Sequence, residues 1–104
     1  MNNRMKTVFS ALAENEAFAR SAAAAFVMPL DPTVEELTEI KTAVSEAVSN
    51  SVIHGYSGWE DRSQAMVELE CEINGNGRVT IIVRDHGRGI ANVEKAMQPL
   101  FSTV

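Results

Sequence analysis

An α+β fold, with helices covering one face of a mostly antiparallel sheet, is what this sequence predicts. Three observations carry the prediction. Between Met66 and Val83, apolar and polar residues alternate on either side of Asn74-Gly75-Asn76-Gly77, the pattern of a half-buried hairpin. Leu37, Ile40, Val44, Ala47, Val48 and Ser51 recur every three or four residues, which makes one helical stripe about 100° wide that should pack on a sheet. The alanine-rich run from Glu14 to Met28 favours a further helix.

Taken in order, Lys6 to Ala11 holds Thr7, Val8 and Phe9 and reads as an opening strand. The alanine-rich helix follows, with Glu14 and Glu16 suiting the positive end of its dipole and Pro29 ending it. Asp31, Pro32 and Thr33 supply start chemistry for the longer helix, with Glu35 and Glu36 in its first turn and Gly55 as its stop. Tyr56 to Gln64 lacks periodicity and reads as a surface loop, in which Trp59 has no assigned role. In Met66 to Ile73, Val67, Leu69, Cys71 and Ile73 form the buried face; Val79, Ile81 and Val83 resume it after the turn. Asp85-His86-Gly87-Arg88-Gly89-Ile90 comes next, then a short helix is expected around Asn92 to Met97.

The 104 residues suit one small domain, 1–104, with no repeat or linker. Apolar residues at 45% and charged residues at 22% mark a globular, water-soluble chain. A formal charge of -5 opposes binding to nucleic-acid phosphates. Neither Met1 to Lys6 nor Ala22 to Leu30 leads into an apolar run long enough for export or for a membrane span. The single Cys71 cannot form an internal disulfide, and it reads as a small buried hydrophobe in a reducing cytoplasm. Met28, Met66 and Met97 read as packing residues.

Two features are not needed to build this fold. Glu46 and Asn50 lie four apart on the long helix and share a face well off the apolar stripe. Asn50 could give its oxygen to Mg²⁺ and Glu46 could take a proton from a hydroxyl nucleophile; an ordinary solvated helix face is the competing reading. In Asp85-x-Gly87-x-Gly89 the glycines allow close backbone approach, and Asp85 could accept a hydrogen bond from an exocyclic amine such as adenine's. A simple turn is the alternative there. His54 could touch phosphate or cap helix carbonyls, and Arg20 could serve a partner or simply be solvated.

In this order, with a hairpin between them, the two segments resemble the N-box and first glycine box of the gyrase, Hsp90, histidine-kinase and MutL (GHKL, or Bergerat) ATPase superfamily. Glu46-x-x-x-Asn50-x-x-x-His54-Gly55-Tyr56, followed by Asp85-x-Gly87-x-Gly89-Ile90, looks like the compact anti-sigma serine kinases. Asn15 to Arg20, Leu37 to Thr42 and Gln98 to Phe101 resemble the sporulation branch of that family.

The resemblance implies a two-layer α/β sandwich, ATP and Mg²⁺ as cofactors, and a cytoplasmic homodimer. It implies Glu46 as general base, Asn50 as Mg²⁺ and nucleotide ligand, Asp85 as adenine contact, Gly87 and Gly89 as nucleotide loop, and Arg20 as part of the partner face. Its partners would be the sporulation sigma factor F, held inactive, and an anti-anti-sigma factor whose serine is phosphorylated. The family continues with a lid, a second glycine box, a helix and further strands, so the chain is expected to be C-terminally incomplete. The ATP-binding domain of a histidine kinase would share these contacts, but it would need an acceptor helix upstream. A non-catalytic module that uses ATP to bind a partner is the third reading.

Overall fold

The computed structural model describes residues 1–87 and the backbone of the strand Val93–Ala96. The sheet contains β1 (Asn3–Ser10), β2 (Met66–Ile73), β3 (Val79–Asp85) and β4 (Val93–Ala96), in that spatial order and antiparallel throughout. Helices α1 (Asn15–Val27) and α2 (Val34–Asn50) connect β1 to β2 and cover one face. This is the expected α+β arrangement.

The alternation decides which face is covered. Val67, Leu69, Cys71 and Ile73 of β2 and Val79, Ile81 and Val83 of β3 are all buried against Ile40, Val44, Ala47 and Val48 of α2 and Ala19, Ala23 and Val27 of α1. Each large member of this set contributes about 1.5–3 kcal/mol relative to an exposed position. The alanines of α1 let its backbone come close to its neighbours. Burial pushes the Cys71 thiol up to about 12, with the charge of Glu70 adding to the effect, so the group remains a neutral packing atom.

The opposite face of the sheet is a ladder of ion pairs. Arg4 meets Glu72 at 3.3 Å, Lys6 meets Glu68 at 3.2 Å, and Arg84 meets Glu70 at 2.8 Å. The Arg84 hydrogen bond holds the Glu70 carboxyl below the usual range, against the opposing effect of its desolvation. β1 starts at Asn3 and not at Lys6 as expected, because its backbone ladder with β2 continues through Met5↔Cys71 and Arg4↔Glu72 to Asn3↔Ile73.

Local chemistry sets the helix ends. Residues Met28–Leu30, which include Pro29, form a 3₁₀ turn after α1, and Asp31 reverses the chain in the left-handed region at φ 55°. Thr33 caps α2 in a reciprocal box: Glu36 N donates to Thr33 Oγ1 at 3.1 Å, and Thr33 N donates to Glu36 Oε1 at 2.9 Å. Between β2 and β3, the Asn74 side chain accepts from the amides of Asn76 and Arg78 at 3.2 and 3.0 Å, and Gly77 takes φ 81°. Among the described residues no helix is long and apolar enough to cross a membrane.

One expectation is overturned. The segment around Asn92 to Met97, read as a short helix, contains strand β4, which pairs with β3 from Val83↔Val93 to Thr80↔Ala96. The free edge of β3 offers a row of backbone donors and acceptors that local helical propensity does not take into account. Met97, like Gln98 to Phe101, lies outside the described residues.

Candidate functional site

The site is built where the end of α2 meets the end of β3. On α2, Val44, Ala47, Val48 and Ser51 turn inward and are buried, which leaves Glu46 and Asn50 exposed on the face their spacing predicts. Asn50 is the last α-helical residue; Ser51–Gly55 continues as a π-helical turn. The wider i→i+5 winding means that the four-residue step from Asn50 to His54 no longer closes a full turn. His54 is exposed, and it is its backbone carbonyl that is satisfied here, accepting from the amides of Tyr56 and Ser57. The imidazole capping considered above is not what ends this helix.

Asp85 is 2% exposed. The cause is the alternation itself: Val79, Ile81, Val83 and Asp85 are successive inward positions of β3, and Asp85 lies opposite Val67, which in turn lies opposite Phe9. A carboxyl therefore occupies a place that the pattern reserves for a core side chain. Its Oδ1 accepts from Gly87 N at 3.2 Å, and among the described residues its Oδ2 has no hydrogen-bond partner. A buried acceptor left without a donor costs about 1–3 kcal/mol, and such acceptors are concentrated at functional sites.

Two glycines make this packing possible. A Cβ on Gly55 would sit 2.7 Å from both Cγ and Oδ2 of Asp85, and a Cβ on Gly87 would sit 1.9 Å from the carbonyl oxygen of Gly55. Beyond ending the helix and belonging to the His54-Gly55-Tyr56 motif, Gly55 is the wall against which the Asp85 carboxyl rests. Gly89 lies outside the described residues, as do Arg88 and Ile90.

Tyr56 belongs to the motif that carries the resemblance, and the structure gives it a role that the motif does not. It is buried, and its hydroxyl donates to Met66 O while accepting from Met66 N at 3.2 Å and His86 N at 3.0 Å. Its ring meets Trp59 edge-on, with centroids 4.7 Å apart, which gives the loop tryptophan its place. Because Met66 and His86 are 10 and 30 residues away in sequence, no local pattern could have disclosed this role. The alternation ending on Asp85, by contrast, was available to sequence reasoning.

Arg20 lies on α1, 3.5 Å from Glu16, and Glu16 Oε2 accepts from Ser49 Oγ at 2.6 Å. The structure thus connects Arg20 to the residue next to Asn50, through one carboxylate.

These residues fit the groups expected of them. Among the described residues Asp85 Oδ2 lacks a donor, and an exocyclic purine amine has the chemistry to provide one. Asn50 offers a hard, exposed oxygen, suited to Mg²⁺. Among the described residues no group of three or more His, Cys, Asp or Glu side chains could hold a metal ion. Mg²⁺ is commonly held by one or two protein oxygens together with phosphate oxygens and water, a set that a single Asn oxygen here would begin.

Comparison with known proteins agrees with this geometry. Residues 9–103 match the family described as the histidine kinase-like ATPase domain. The anti-sigma F factor of Anoxybacillus flavithermus is 55% identical over 103 residues, spanning 99% of this chain and 68% of the relative. Those of Clostridium beijerinckii and Priestia megaterium are 53% and 50% identical over 98% and 99% of this chain, in each case 68% of the relative. With a helix bearing Glu46 and Asn50 running into the Gly55–Asp85 contact, and with this similarity over nearly its whole length, the chain belongs to the anti-sigma F factor family of histidine kinase-like ATPases.

Proposed function

We propose that this chain forms a single ATP-binding domain of a homodimeric anti-sigma factor, which holds a sporulation sigma factor inactive and phosphorylates a serine of an anti-anti-sigma partner. The observation that carries the reading is the close contact of Gly55 with the buried Asp85 carboxyl, which joins the Glu46/Asn50 helix to the Asp-Gly loop. The sigma-factor partner is supported by the names of the relatives.

In this reading Asp85 Oδ2 accepts from the adenine amine, Asn50 holds Mg²⁺, and Gly87 and Gly89 let the loop approach the nucleotide. The bound Mg·ATP supplies the phosphoryl group and the charge neutralisation. Glu46 takes the proton from the acceptor serine hydroxyl as its oxygen bonds to phosphorus and ADP leaves. Arg20, steadied by Glu16, contributes to the partner face.

Replacing Glu46 with Gln tests the assignment. Phosphorylation of the anti-anti-sigma partner should fall by at least 100-fold, in line with the general-base contribution of about 10²–10⁴, while ATP affinity is retained. A normal rate from Glu46→Gln would show that another group takes the proton. An acid-labile product would move the chain to the histidine-kinase reading, because phosphoserine survives acid.

A further inference from the structure

We propose that Tyr56 is a positioning residue for base selectivity, acting through Asp85. This rests on the reading that Asp85 accepts the adenine amine. Tyr56 borders Asp85 on both of its chain neighbourhoods. Its hydroxyl accepts from the amide of His86, the residue after Asp85, and its ring atom Cδ1 lies 2.7 Å from where a Cβ on Gly87 would be. The residue before it, Gly55, forms the wall against the carboxyl.

The hydroxyl has one hydrogen and two lone pairs, and all three are in use: it donates to Met66 O and accepts from Met66 N and His86 N. At 1% exposure the side chain has no room to re-aim. It pins the start of β2 and the exit of β3 to the end of the π-helical turn, and so fixes the height at which Asp85 Oδ2 is presented. Loss of this pin would let the carboxyl drift by the few tenths of an ångström that separate a good hydrogen bond from a poor one.

A purely structural tyrosine and a positioning tyrosine differ in one readout. Adenine presents an N–H donor at position 6, where hypoxanthine presents a carbonyl oxygen, so in this reading the Kd ratio of ITP to ATP reports the placement of Asp85 and not general integrity. In the purified protein the ratio should be at least tenfold and should collapse towards one in Asp85→Ala, which removes the acceptor altogether. In Tyr56→Phe, which keeps the ring and removes only the hydroxyl, the ratio should fall at least threefold with ITP affinity unchanged.

Equal weakening of both nucleotides, or a ratio like that of the unmodified protein, overturns the proposal while leaving the Asp85 reading intact. A protein that does not discriminate, or an Asp85→Ala variant that still does, removes the Asp85 reading and this proposal with it. Should Tyr56→Phe fail to fold, amide exchange in the unmodified protein decides. The His86 side chain is 70% exposed, yet its backbone N–H should be protected by the Tyr56 hydroxyl; exchange at the free-loop rate overturns the proposal.

Discussion

Adding one methyl group at Gly55 should damage nucleotide binding far more than folding. In Gly55→Ala the new Cβ would lie 2.7 Å from Asp85 Cγ and Oδ2, and 3.0 Å from Oδ1. Reaching ordinary contact at 3.4 Å requires a shift of about 0.7 Å, and the atom that must move is the carboxyl, not the end of a flexible chain. If Asp85 accepts the adenine amine as proposed, a hydrogen bond of about 2.9 Å does not survive that displacement. Loss of a bond to a charged acceptor costs about 1.5–3 kcal/mol, which weakens ATP binding about 10- to 100-fold.

The stability term is smaller. Overpacking costs about 1–3 kcal/mol, and alanine recovers about 1 kcal/mol of helical propensity, leaving about 0–2 kcal/mol. At about 4–8 °C per kcal/mol for a chain of this size, Tm should fall by no more than about 15 °C. Titration calorimetry with ATP at a temperature well below both melts measures the first quantity, and a thermal melt the second. A Gly55→Ala protein that binds ATP within twofold of the parent would refute the packing argument, whatever its Tm.

Two further outcomes follow from the scaffold. Thr33→Ala removes the capping box at the start of α2 and should cost about 1 kcal/mol. The site, about 25 Å away along the helix, should keep its ATP affinity; an unchanged melting curve would show that the cap contributes nothing. Glu70, held below its ordinary value of 4.5 mainly by Arg84, contributes stability that is present above that value and lost as pH falls through the lower folded value. Because Arg84 is partly exposed the effect is at most about 1 kcal/mol, and Glu70→Gln should flatten this part of the acid limb in melts from pH 7 to 3. Coincident limbs for the two proteins would dismiss the pair as a contributor.

What the sequence disclosed follows how far each determinant reaches along the chain. The strand Met66–Ile73 and the buried stripe of α2 depend on residues two to four positions apart, so their pattern could be read directly. The first three residues of β1, Asn3 to Met5, could not, because they become strand by pairing with Ile73, Glu72 and Cys71. The Val93–Ala96 strand was missed for the same reason: its determinant is the open edge of β3. At the site, the shared face of Glu46 and Asn50 was a matter of helical spacing. The clamp formed by Tyr56, and the wall formed by Gly55, join segments that are 10 to 30 residues apart and become visible only when the fold brings them together.

The buried carboxyl at position 85 has a consequence for the lifetime of the folded state. Among the described residues Oδ2 lacks a donor, a standing debit against folding that the proposed nucleotide would cancel as it binds. Nucleotide then acts as a missing piece of the interior, raising the unfolding free energy by RT ln(1 + [L]/Kd). Against a net stability of about 5–15 kcal/mol for a typical domain, nucleotide at a hundred times its Kd would add about 2.7 kcal/mol, enough to shift the folded fraction with the nucleotide supply.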